Sequence, residues 1–255
     1  MDQFLNDPVF AAFAIGATLL AGLSKGGFGG GLGFIGVLAL AQVSSPTQAV
    51  AIMLPILCVM DLIGAWAYRK DWDRPSMKVL GIGCAIGTLI GMLTFKWMDD
   101  QLIRLTVGAI AIAFFVDFFR SGGEKAAARV FSKPVGYVLG TIGGFTSFII
   151  HAGLPPVAMY LLPQRLDRRI HVGTIVILFA FINYLKILPY WWLGLFTMPN
   201  LTTALILMPL APVGMLIGIR FNTLIPQKIF MRLSYTILFV LGVRMMYEGL
   251  SPYFV

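Results

Sequence analysis

Ten residues, Ser24 to Gly33, set a lysine and six glycines inside a stretch otherwise composed like the lipid-facing part of a membrane helix. Glycine weakens a helix, and lysine at membrane depth is costlier still, so neither serves the crossing of a bilayer. Non-helical backbone is tolerated at that depth only where it is buried in protein or lines a water-filled cavity. A run of backbone N–H groups beside an ammonium also suits a small anion. The competing reading is a close helix crossing, with the lysine snorkelling to a surface.

The surrounding sequence favours a site. Hydrophobic residues make up 58% of the 255 and charged residues 12%. With a mean hydropathy of +0.87, the expected class is an all-α polytopic membrane protein with no extra soluble domain. A net charge of +8 would suggest nucleic acid in a soluble protein; here it fits basic cytoplasmic loops, and no nucleic-acid partner is expected. Met1 to Pro8 carries two aspartates and no lysine or arginine, unlike the basic start of a cleaved signal peptide. Cys58 and Cys84 lie inside apolar runs and read as packing residues; with two distant histidines, neither a metal site nor a cofactor is expected.

Apolar runs divide the chain into two similar halves. The first, 1–120, is read as a hairpin over 8–42 followed by spans 46–68, 79–95 and 105–119. A cytoplasmic linker, 121–134, follows. The second half, 135–255, is a hairpin over 135–163 and spans 172–188, 200–219 and 229–245. Segments 28–42 and 153–163 are shorter than the roughly 20 residues of a full crossing, so each hairpin reads as broken or re-entrant. At an offset of 122, Gly31-Leu32 matches Gly153-Leu154, Val50 matches Val172, Asp61 matches Asn183 and Tyr68 matches Tyr190. Further on, Gly87-x-Leu89-Ile90-Gly91 matches Gly214-x-Leu216-Ile217-Gly218, and Arg104-Leu105 matches Arg232-Leu233. The shared order indicates a duplication. Loops 69–78, 120–134, 164–171 and 220–228 hold thirteen lysines and arginines, against two in the alternate set of loops. That asymmetry puts the basic loops in the cytoplasm and both termini outside it. Equivalent loops then face opposite sides, so the repeats are expected to have inverted topology, with the two hairpin tips approaching the bilayer midplane from opposite sides.

The tips supply the expected binding residues: Ser24, Lys25, Gly26, Gly27, Gly29, Gly30 and Gly31 from the first, and Thr146, Ser147, His151 and Gly153 from the second. Asn183 joins them from the span after the second hairpin. Pro155-Pro156 suits the first turn of a short helix, whose N-terminus would favour an anion. Lys25 is the head-group partner, competing with a role as a snorkelled anchor. Asp61 and His151 are the candidate proton carriers, and Asp61 has a second reading as the neutraliser of Lys25. Lys186, near the expected outer surface, reads as a snorkelling lysine. Pro55, Pro209 and Pro212 are expected to kink their helices.

The Gly-rich hairpin Ser24 to Gly33, followed by Pro46-Thr47-Gln48-Ala49-Val50, resembles the sulfite exporter TauE/SafE family. So do Tyr68-Arg69-Lys70-Asp71-Trp72, Gly153 to Leu162, Asn183-Tyr184-x-Lys186 and Tyr190. The second hairpin departs from the pattern, carrying His151 and two prolines where more glycine is expected. The resemblance implies a bacterial inner-membrane transporter of sulfur-containing anions such as sulfite, sulfonates or sulfoacetate. The expected function is therefore secondary transport by alternating access, with proton coupling as an option and without enzymatic activity. An anion channel or uniporter is the alternative. A membrane hydrolase built on Ser24 and His151 is the more distant one, since a nucleophile must hydrogen-bond its base. The expected partners are a small anionic substrate and membrane lipid; a homodimer is left open.

Overall fold

The computed structural model describes residues 2–27, 33–120, 131–222 and 227–251, and every element among them is helical. In order these are α1 (Asp2–Asn6), α2 (Pro8–Gly27), α3 (Phe34–Leu40), α4 (Pro46–Tyr68), α5 (Arg74–Phe95) and α6 (Asp100–Arg120). After the linker come α7 (Lys133–Ile150), α8 (Leu154–Leu161), α9 (Arg168–Trp192), α10 (Met198–Leu207), α11 (Leu210–Asn222) and α12 (Gln227–Leu250). Helix starts follow local chemistry. Ser45 accepts from the Gln48 N–H at 3.1 Å, Asp73 from Ser76 at 2.8 Å and Asp167 from Arg169 at 2.9 Å. Proline then occupies the first turn of α4, α5 and α7, where a missing amide proton costs little.

Helices α2, α4, α5 and α9 are each long and apolar enough to cross a bilayer, and α10 with α11 makes a further span bent by 45°. The bend falls at Met208-Pro209, as expected for a proline that removes a donor and crowds the preceding turn. Pro212 lies in the first turn of α11, and α4 runs through Pro55 without a break, so only Pro209 interrupts a helix. Large apolar side chains such as Leu188, Leu205 and Leu216 point outward, as a lipid solvent allows. Trp66 and Trp72 stand beside the basic loop 69–78, with Arg69 stacked 4.8 Å over the Trp66 ring. Trp97, Trp191 and Trp192 are exposed beside the loops poor in lysine and arginine. Two aromatic belts result.

Glycine seams hold the helices together. α2 packs on α11, α5 on α7, and α6 on α12. A Cβ on Gly22 would fall 2.8 Å from Gly214 Cα, one on Gly140 2.8 Å from the Leu80 carbonyl oxygen, and one on Gly108 2.8 Å from that of Gly242. Small residues give membrane helices the close approach that lipid itself does not drive. Between the α2–α11 and α5–α7 seams, α4 crosses α9.

The second hairpin is closed by its own chemistry. α7 ends at Ile150, and His151 takes a left-handed conformation (φ 57°), with its N–H bonded to the Ser147 carbonyl at 2.9 Å. The Thr146 hydroxyl donates to the Ala152 carbonyl at 2.9 Å, and α8 begins at Leu154 with both prolines in its first turn. In the first hairpin, α2 ends at Gly27 and α3 starts at Phe34. Gly29, Gly30 and Gly31 lie outside the described residues, as does most of the 121–134 linker.

Candidate functional site

The middle of α4 presents Asp61, buried to 2% exposure, towards α2 and α9. Its Oδ1 is 2.5 Å from Lys25 Nζ, and its Oδ2 accepts from the Asn183 side-chain amide at 2.6 Å. Lys25 also donates to the Leu57 carbonyl, one turn earlier on α4, at 3.2 Å. Both carboxylate oxygens are thus held, one by a cation and one by an amide. Asn183 is the residue that the sequence offset pairs with Asp61, and the two are in direct contact. The side chain of Lys25 is 9% exposed. It reaches into the protein, as the ion-pair reading of Asp61 required, and not out to a surface.

Three residues beyond Asn183 on α9, Lys186 is fully buried, contrary to the snorkelling expected for it. Its ammonium reaches the end of α7, donating to the Ser147 carbonyl at 3.0 Å, with Ser147 Oγ at 3.2 Å and His151 Nδ1 at 2.6 Å. His151 Nε2 lies 3.1 Å from the Val50 carbonyl near the start of α4. A carbonyl only accepts, so Nε2 carries a proton and ties the second hairpin tip to α4. One helical turn further, the Tyr190 hydroxyl donates to the Phe148 carbonyl at 2.6 Å, and Tyr184 bonds the Cys58 carbonyl at 3.2 Å. α4 therefore holds the end of α2, and α9 holds the end of α7.

Two small pockets adjoin this cluster. The first is lined by Lys25 and Asp61 with Met60, Gly64, Val176, Phe179 and Met215. The second is lined by Lys25, His151 and Asn183 with Gly33, Leu57 and Phe179. Asp61 is the one buried carboxylate among the described residues. Against it stand the buried ammonium of Lys186 and the part-buried one of Lys25.

Lys25, Ser147, His151, Asn183 and Asp61 are thus brought together, with Thr146 and Gly153 shaping the tip behind them. A Cβ on Gly153 would fall 2.7 Å from the Gly143 carbonyl oxygen, so this glycine closes the α7–α8 turn. Gly26 and Gly27 instead lie against the backbone of Met215 and Gly218 in the α2–α11 seam. Their place is packing. Ser24 is buried near the end of α2. Both ring nitrogens of His151 are occupied, by Val50 and Lys186, which removes the geometric basis for a Ser24–His151 nucleophile pair. Sequence reasoning missed Lys186, Tyr190 and the Val50 carbonyl. The spacing Asn183, Lys186, Tyr190 puts all three on one helical face, and that signal was available.

A multi-pass helical bundle with a buried, cation-rich polar cluster beside two broken hairpins has the form of a membrane transporter for anions. The chain belongs to the sulfite exporter TauE/SafE family, whose description matches residues 14–245. Membership makes it a multi-pass membrane protein of a transporter family and points to sulfite or a similar small anion as substrate. Neither the curated proteins nor the solved structures offer a match.

Proposed function

We propose that the protein is a secondary transporter that moves small sulfur-containing anions, of the sulfite, sulfonate or sulfoacetate type, across a bacterial inner membrane by alternating access. The observation that carries this reading is the charge imbalance of the buried cluster, two lysines against Asp61, beside cavities lined by Lys25 and His151. An anion bound there supplies the missing charge where a desolvated cation interacts most strongly. Ser24, Lys25, Ser147, His151 and Asn183 form the binding group in this reading, and Asp61 and His151 are its proton-carrying candidates.

The packing supports an inverted repeat. Exchanging the halves turns the α2–α11 contact into α7–α5 and returns α4–α9 and α6–α12 to themselves. The aromatic belts and basic loops support cytoplasmic placement of the linker and an external position for both termini. A reporter fused after Val255 is expected outside the cytoplasm, and one inserted near Gly123 inside it. A cytoplasmic result at both positions rejects the inverted repeat.

A thermal-shift panel of sulfite, sulfoacetate, taurine, isethionate, thiosulfate and simple carboxylates tests the substrate class, because a ligand of the folded state raises apparent stability. Uptake into proteoliposomes then tests the mechanism. Accumulation driven by a proton gradient supports secondary transport, whereas flux that stops at equilibrium whatever the gradient makes the protein a uniporter or channel. No stabilisation by any of these anions rejects the reading.

A further inference from the structure

We propose that Lys186 and His151 hold between them the exchangeable proton of the site, and that the anion binds as counter-charge to the protonated pair. Proton and anion then enter together. The inference rests on the transporter reading and deepens it.

His151 Nε2 carries a proton because its partner, the Val50 carbonyl, can only accept. His151 Nδ1 faces Lys186 Nζ at 2.6 Å, a separation that accommodates one proton between the two nitrogens and not two. The pair therefore carries a charge of one, as ammonium with neutral imidazole or amine with imidazolium, or it carries none. The other neighbours of Lys186 are the Ser147 carbonyl and hydroxyl, which are uncharged.

Among the described residues, no carboxylate in contact neutralises this pair. From α4, Asp61 is engaged on both oxygens, by Lys25 and Asn183, and Cys58 is a free thiol. From α2 comes a second cation, Lys25. From α9 itself, the Tyr184 and Tyr190 hydroxyls are spent on the Cys58 and Phe148 carbonyls. With the pair protonated the cluster is left with one excess positive charge; with the pair deprotonated it is neutral. A monoanion in the cavity between Lys25 and His151 brings the protonated state to neutrality. Burial penalises net charge, so anion and proton each favour the other's binding by the same factor. The balance is simple: one anion and one proton from the same side join the pair, and both leave on the other.

Calorimetric titration of the purified full-length protein, in buffers of differing ionisation enthalpy, counts the protons taken up per anion. Isethionate, thiosulfate and sulfite are the probes. The range is about pH 6 to about 9, where buried histidines and lysines are tuned to exchange protons. Wild type should take up as much as about one proton per anion more than Lys186→Arg, whose guanidinium stays charged throughout. The difference cancels any titration of the anion itself. Equal counts in wild type and Lys186→Arg overturn the proposal, as does a count lost in Asp61→Asn but kept in Lys186→Arg. Should Lys186→Arg fail to fold, Lys186→Gln, neutral at every pH, is expected to lose at least about tenfold in affinity and the proton uptake with it. Wild-type behaviour in that variant overturns the proposal equally. Absence of binding by wild type would reject the transporter reading itself, whereas binding without Lys186-dependent protons rejects only this inference.

Discussion

In the repeat proposed above the ends of α2 and α7 correspond, and each meets a lysine at the α4–α9 crossing by a different route. The first hairpin contributes its own lysine, Lys25, and α4 answers with a carboxylate. The second contributes acceptors, Ser147 and His151, and α9 supplies the lysine. The first arrangement is electrically closed. The second leaves its charge to a proton and to whatever anion arrives. In the proposed repeat, one tip is thus fixed and the other kept responsive.

The largest effect that could break this contrast is on stability. Asp61→Ala leaves the Lys25 ammonium buried without its carboxylate, and a loss of about 3–5 kcal/mol is expected, read as a fall in melting temperature in detergent. The matched double variant Lys25→Met with Asp61→Leu should recover most of it. A shift no larger than that of a surface substitution would mean that Lys25 is solvated and the first tip is not closed.

Next in size are the glycine seams behind the two tips. Gly22→Leu and Gly144→Leu each force side-chain atoms into facing backbone, at Gly214 and Cys84 respectively. Each should cost about 1–3 kcal/mol, the usual penalty of overpacking. Similar losses at both would show that the halves share their packing and differ only in polar chemistry.

Anion affinity sharpens the contrast directly. Lys186→Ala should weaken binding by about tenfold, roughly 1.4 kcal/mol, and Lys25→Ala by less, because Asp61 already compensates Lys25. The reverse order, measured calorimetrically, would move the substrate's charge partner to the first tip. The smallest effect concerns Tyr190→Phe, which removes one interhelical hydrogen bond to Phe148. About 0.6 kcal/mol of stability should be lost, with anion affinity unchanged.

Much of the architecture was legible because it is written in local chemistry. The span read from 46 begins there in the structure, after the Ser45 cap, whereas those read from 79 and 200 begin earlier, at Arg74 and Met198, after the Asp73 and Thr197 caps. The Asp61–Lys25 pairing was one of two readings open to a buried carboxylate. Lys186 was misjudged for a physical reason. It lies six residues before Trp192, about 9 Å along the helix, within reach of a snorkelling side chain. Distance from a helix end is visible in sequence, but the direction a helix face points is not. That direction depends on which neighbours α9 packs against, here α4 and α5, which turns Lys186 inward to the end of α7. The glycines were read as a site by their number, yet Gly26 and Gly27 are spent on contact with α11, a partner nearly 200 residues away in the chain.

Those backbone-to-backbone seams constrain how the molecule can rearrange. A contact made of glycine against main chain has no rotamers to readjust, so sliding along it costs contact at once. On that ground α2 and α11 are expected to move as one body, and α5 and α7 as another. Each body joins a hairpin from one half to a span from the other. Relative displacement falls to the interface that carries long side chains and hydrogen bonds, α4 across α9. The polar cluster sits at that pivot, where a small rotation would remake the bonds of Asp61, Asn183, Lys186 and His151 together.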